Sequence, residues 1–139
     1  MKPRLILMSH GNMASETLQS AKMIVGDLIS AEVISMSEQD GLSGTQQKLN
    51  QVLDKIGKEP VLVIADLKGG TPCNVAMMKL NDYPQMRVIS GLNLAMVIEA
   101  AVSTLDTVDE LALFLQETGR NAVESIIIPE VDDEEEYEE

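Results

Sequence analysis

Short unbroken apolar runs alternate along the chain with stretches in which apolar residues recur every three or four positions. The first run, Leu5-Ile6-Leu7-Met8, leads into Ser9-His10-Gly11. It has the form of a buried strand closed by a turn, expected over residues 3–9. Ala14, Leu18, Ala21, Val25 and Leu28 then keep helical spacing and predict a first helix ending near Gly26 or Asp27. Residues 31–36 alternate and predict a second strand, with a loop from Ser37 to Gly44. Ser43 and Gln46 are spaced as a capping box ahead of the helical face Leu49, Val52, Leu53 and Ile56, which Gly57 and Pro60 terminate. Val61-Leu62-Val63-Ile64-Ala65 is the strongest strand signal; it closes on Asp66 and the loop Leu67-Lys68-Gly69-Gly70-Thr71-Pro72. Thr71 has the form of an N-cap and Pro72 of a first helical residue, predicting a helix to about residue 80. Residues 87–89 read as a short strand with the exit loop Ser90-Gly91-Leu92-Asn93. A helix carrying Leu94, Val97, Ile98 and Ala101 follows. Thr107 and Glu110 form a second capping box before Leu111, Phe114, Leu115 and Thr118, with Gly119 as the expected end. Residues 122–128 read as a last strand at a sheet edge, ended by Pro129.

Four strand–helix alternations predict an α/β fold: a mostly parallel four-stranded sheet with helices on both faces, plus the C-terminal edge strand. The length of 139 residues suits one domain, expected over residues 1–129, and no repeat or second domain is evident. Apolar residues make up 45% of the chain but aromatic ones only 2%, so Leu, Ile, Val, Ala and nine methionines must build the core. That scarcity argues against a site that stacks flavin rings or nucleic-acid bases. The single cysteine, Cys73, excludes an intramolecular disulfide, and one cysteine with one histidine makes structural zinc an unfavourable reading. No signal peptide is evident before the first strand and no apolar run approaches membrane-spanning length, so a cytoplasmic protein is expected.

The formal net charge is −13, and eight of the 23 acids lie in residues 130–139, leaving 15 acids against 10 bases in the body. We expect residues 130–139 to be an acidic, disordered tail. The acidic body disfavours nucleic acid and suits a basic protein partner.

Three expected strands end in small-residue loops: Ser9-His10-Gly11, Asp66 through Pro72, and Ser90-Gly91-Leu92-Asn93. A parallel sheet gathers such ends at one edge, where ligands bind. Glycine lets backbone approach a ligand, and helix N-termini favour phosphate. His10, the only histidine, is the candidate for nucleophilic or proton chemistry. Asp66 is suited to accept a hydrogen bond from one ring nitrogen, fixing the tautomer and leaving the other free. Thr71 suits a phosphoryl oxygen, through hydroxyl or N–H. Cys73 sits early in the same helix and reads as a packing residue. Two rival functions use the same residues: a flavodoxin-type phosphate-binding module and a hydrolase built from Ser9, His10 and Asp66. The second is disfavoured because adjacent strand residues point to opposite faces.

Ser9-His10-Gly11 together with Asp66-Leu67-Lys68-Gly69-Gly70-Thr71-Pro72-Cys73-Asn74 resembles the enzyme IIA component of the mannose family of the bacterial sugar phosphotransferase system (PTS). Ser90-Gly91-Leu92-Asn93-Leu94 is similar to the family's third loop and Glu117-Thr118-Gly119-Arg120 to its late helix end, so the resemblance spans about residues 3–128. It implies a phosphotransferase without cofactor or metal. His10 would accept a phosphoryl group from HPr as tele-phosphohistidine and pass it to a IIB component, and through it serve the membrane IIC/IID permease. Asp66 would orient His10, while Gly11, Gly70 and Thr71 would bind the phosphoryl oxygens. It also implies a homodimer that exchanges the last strand. Lys68 departs from the large apolar residue found in some relatives, and the acidic tail stands where some continue into a IIB domain, so this chain is expected to act alone. A related donor subunit for dihydroxyacetone kinase is the nearest rival and lacks the Gly-Gly-Thr-Pro signature.

Overall fold

The computed structural model describes residues 2–130. The first apolar run forms strand β1 (Arg4–His10), which starts one residue later than expected and also ends one later, because the histidine still pairs with its neighbour strand. The elements that follow are α1 (Met13–Val25), a single 3-10 turn at Gly26–Leu28, β2 (Glu32–Met36), α2 (Gly41–Ile56), β3 (Val61–Ala65), α3 (Thr71–Met77), β4 (Met86–Ser90), α4 (Leu94–Val102) and α5 (Val108–Asn121).

Among the described residues the four strands form one all-parallel sheet in the order β2-β1-β3-β4. The chain steps one way from β1 to β2, then reverses across β1 to β3. Right-handed crossovers turn that reversal into a change of face. Accordingly α1 packs with α4 and α5 over Leu5, Leu7, Leu62 and Ile64. The other face, Ile6, Met8, Val61 and Val63, is covered by residues of α2 and α3, including Leu49, Leu53, Val75 and Ala76. β3 and the interior of β1, Leu5 to Ser9, are buried on both faces as central strands, which is why they read as continuous apolar runs rather than alternations. The switch point lies between the carboxyl ends of β1 and β3.

Several expected boundaries move. The Ser43–Gln46 pair is not a cap: α2 begins at Gly41, behind Asp40. The Asp40 carboxylate accepts the Ser37 N–H at 2.7 Å and the Lys48 ammonium at 2.7 Å, so the turn ahead of Ser43 already fixes the helix start. Thr71 is the first helical residue and Gly70 the cap position, one place earlier than expected. α3 stops at Met77, because Lys79 and Leu80 donate three residues back, to Ala76 and Met77, and tighten the chain into turns. Thr107 caps α5 as expected, its hydroxyl accepting the Glu110 N–H, and the Glu110 carboxylate reaches back to that hydroxyl rather than to the backbone N–H of a full box. α5 continues through Gly119 to Asn121. A Cβ at Gly119 would lie 2.9 Å from the Met96 sulfur, so this glycine serves close packing of α5 on α4 rather than termination.

The expected last strand is not formed within the single chain. Among the described residues, 123–130 pair with no strand, and Val123, Ile126, Ile127 and Ile128 are 77–92% exposed. β4 leaves an open sheet edge beside them, and a groove there is lined by Val88, Ile89, Met96, Arg120 and Val123. Residues 131–139, most of the acidic tail, lie outside the described residues.

Candidate functional site

Side-chain alternation along β1 sorts the residues of its end. Ser9 follows Leu5 and Leu7 toward the α1 face and is fully buried; His10 follows Ile6 and Met8 toward the α3 face and is exposed. The Ser9 hydroxyl accepts the Ala14 N–H at 2.8 Å and donates to the Gly11 carbonyl, fastening the first turn of α1. Ser9 therefore does not face His10, and the serine hydrolase arrangement is absent.

At the end of β3 the backbone ladder stops with the Asp66 N–H donating to the Met8 carbonyl. The Asp66 side chain takes over from there. Its Oδ2 accepts the His10 backbone N–H at 2.9 Å and sits 2.8 Å from His10 Nδ1. An ionised carboxylate only accepts, so this contact assigns the proton to Nδ1 and leaves the Nε2 lone pair free. The His10 side chain is 46% exposed and that of Asp66 9%, which gives a fixed inner partner and an open outer nitrogen. The other carboxylate oxygen, Oδ1, is buried without a hydrogen-bond partner among the described residues. Both hydrogen bonds of the group are thus concentrated on the oxygen that holds the histidine.

The loops close around this pair. Gly11 turns the chain with φ +55°, and its N–H is committed to the Met36 carbonyl at 2.8 Å. The Gly70 N–H is likewise directed to the Leu67 carbonyl at 3.2 Å. Both amides thus have acceptors inside the protein. Thr71 opens α3, so its N–H belongs to the first turn, where amides have no intrahelical acceptor. The β4 exit loop folds back through the Gly91 and Leu92 N–H groups onto the Ala65 carbonyl, next to Asp66. Lys68 is exposed on the loop, and Cys73 is buried in α3 as a packing residue.

The sequence reading missed the engagement of the Gly11 and Gly70 amides. It also missed that the Gly70 backbone lies against the His10 ring: a Cβ there would fall 2.7 Å from Cε1. The doubled glycine was the only signal of that contact.

Fold and site together define a parallel α/β protein with an open, tautomer-fixed histidine at the switch point of its sheet. The chain belongs to the family described as PTS system fructose IIA component, EIIA-man, which matches residues 4–114. It is 29% identical over 125 residues to the PTS system mannose-specific EIIAB component of Escherichia coli K12, covering 88% of this chain and 39% of that protein. The chain thus spans about two fifths of that relative's length. It is 29% identical over 96 residues to the PTS system fructose-specific EIIA component of Bacillus subtilis, covering 68% of this chain and 66% of the relative. Among solved structures, it is 61% identical to the mannose/sorbose specific IIA subunit of the phosphotransferase system from Enterococcus faecalis. The TM-score there is 0.92, over 95% of this chain and 100% of the other. No helix among the described residues is long and apolar enough to cross a membrane.

Proposed function

We propose that this protein is the IIA phosphocarrier of a sugar-transporting phosphotransferase system, working in the cytoplasm between phospho-HPr and a IIB component that serves a IIC/IID permease. The observation that carries the reading is the 2.8 Å contact between His10 Nδ1 and Asp66 Oδ2 beneath an exposed ring. In the forward step the Nε2 lone pair attacks phosphorus. The N–P bond to Nε2 forms as the bond between phosphorus and the donor carrier breaks. The proton stays on Nδ1 throughout. The ring gains positive charge as it takes the group, and the Asp66 carboxylate offsets it. The second step reverses these roles, with His10 as the leaving group and a histidine of IIB as the acceptor.

Catalysis of this kind is positioning and electrostatic stabilisation. Asp66 supplies both by gripping backbone and ring with one oxygen. Thr71, with its hydroxyl and N–H in the first turn of α3, is the residue suited to hold the phosphoryl oxygens. Gly11 and Gly70 shape the loop. The transfer as written uses no metal or cofactor. The protein is a homodimer in this reading: the exposed apolar segment at residues 126–128 pairs along the open edge of β4 in a second copy.

The test is incubation with phosphoenolpyruvate, enzyme I and HPr, read by intact mass. We expect one added phosphoryl group per chain, labile in acid and stable in base, and none on His10→Ala. A phosphorylated His10→Ala protein contradicts the reading.

A further inference from the structure

Gly69 and Gly70 stand side by side in the β3–α3 loop and are glycine for different reasons. Gly69 has φ +86°, a left-handed conformation, and nothing lies within 4 Å of where its Cβ would be. Backbone geometry alone demands it. Gly70 has φ −81° and ψ 162°, extended backbone open to any L residue. A Cβ there would lie 2.7 Å from His10 Cε1 and 3.4 Å from His10 Nε2; its third neighbour, the Leu67 carbonyl, is 3.4 Å away. What excludes a side chain at Gly70 is the histidine ring.

We infer that Gly70 is a positioning residue for His10. Its bare α-carbon is a seat for the Cε1 side of the ring while Asp66 Oδ2 grips Nδ1. The ring is held by two contacts: a hydrogen bond at Nδ1 and a steric stop at Cε1, the carbon between the two nitrogens. Together they fix the direction in which the Nε2 lone pair points. A methyl group at this place meets a side chain that is 46% exposed, so the ring swings outward before the loop shifts. That swing lengthens the Nδ1–Oδ2 hydrogen bond. Fold stability therefore changes little, while tautomer and aim are lost. This role deepens the phosphoryl-carrier reading and rests on it for its kinetic consequence, but the seat itself does not depend on any partner.

The test is Gly70→Ala, with Gly69→Asn as a loop control, since asparagine tolerates left-handed backbone and places nothing against the ring. Two readouts are taken. The first is the ¹⁵N spectrum of the His10 ring in the free protein. We expect wild type and Gly69→Asn to show the Nδ1-protonated tautomer, and Gly70→Ala to show a mixture of tautomers. The second is the rate of phosphoryl uptake from phospho-HPr. We expect a loss of about 10- to 10²-fold for Gly70→Ala, the scale set by small misplacements of reacting groups. In an Asp66→Asn background most of that loss disappears, because both changes act through one contact. An unchanged ring spectrum in Gly70→Ala, or an effect that multiplies in full with Asp66→Asn, overturns the inference. If wild type takes up no phosphoryl group, the carrier reading fails and the ring spectrum alone decides on the seat. Should Gly70→Ala melt far below wild type, the His10→Ala/Gly70→Ala protein decides. Removing the ring must then restore the lost melting temperature, and no restoration overturns the inference.

Discussion

At the scale of single residues, the proposed mechanism divides one histidine into a held nitrogen and an open one. Asp66 does the holding, so Asp66→Asn should keep the fold and lose rate. Asparagine does not offset the positive ring, and its amide can turn an N–H toward the nitrogen that should donate. Loss of the correct tautomer costs a serine-protease triad roughly 10⁴-fold. Here we expect about 10²- to 10³-fold in phosphoryl uptake from phospho-HPr, because Thr71, proposed to hold the phosphoryl oxygens, is untouched by the change. Circular dichroism is the control, and a folded Asp66→Asn protein at wild-type rate removes Asp66 from the mechanism. Ser9→Ala should do the reverse. It deletes a buried helix-capping hydroxyl and should cost about 1 kcal/mol of stability with phosphoryl uptake unchanged. His10, Asp66 and Thr71 were legible because each stands at an expected strand or helix end. The place of Ser9 followed from period-two alternation. The seat at Gly70 was not legible, since two adjacent glycines carry no mark of which serves the backbone and which a neighbouring ring.

At the scale of elements, the types of the four strands and five helices were read correctly, their ends less so, and the strand expected over residues 122–128 is not formed in the single chain. β1 and β3 declared themselves as apolar runs, because strands buried on both faces have no polar side. The end of α5 was misread at Gly119. Glycine marks a helix end and a close helix contact alike, and only the Met96 side chain distinguishes them. We expect Gly119→Ala to destabilise by about 1–3 kcal/mol through overpacking, measured by denaturant unfolding, rather than to lengthen the helix. The start of α2 was misread because Ser43 fits a capping template while the Asp40 carboxylate, three residues earlier, gathers the Ser37 N–H and the Lys48 ammonium. The hydrogen bond from Lys48, with that from Ser37 next, lowers the Asp40 pKa from an ordinary 3.8 to about 2. A carboxylate depressed in the folded state stabilises above its ordinary pKa and loses that contribution as pH falls through the depressed value. The melting-temperature advantage of wild type over Asp40→Asn should thus be steady above about pH 5 and shrink toward zero near pH 2.

At the scale of the whole molecule, the parallel order β2-β1-β3-β4 is what brings residue 10 and residue 66 together across 56 positions of sequence. The expected α/β class with helices on both faces is the fold observed. The last strand could not be settled by pattern alone, because a segment that pairs with another copy shows the same apolar run as one that pairs at home. Its exposed isoleucines on a single chain fit the proposed exchange. We expect sedimentation at micromolar concentration to give a dimer, deletion of residues 130–139 to leave it intact, and Ile126→Glu/Ile128→Glu to give monomers. A wild-type monomer at that concentration rejects the exchange.

The central claim is that Asp66 holds Nδ1 so that Nε2 of His10 carries the phosphoryl group. The most direct measurement is ¹⁵N and ³¹P NMR of the ring-labelled protein after phosphorylation by phospho-HPr. We expect the phosphorus coupled to Nε2 of His10 and a retained proton on Nδ1. Phosphorus on Nδ1, or on any residue other than His10, contradicts it.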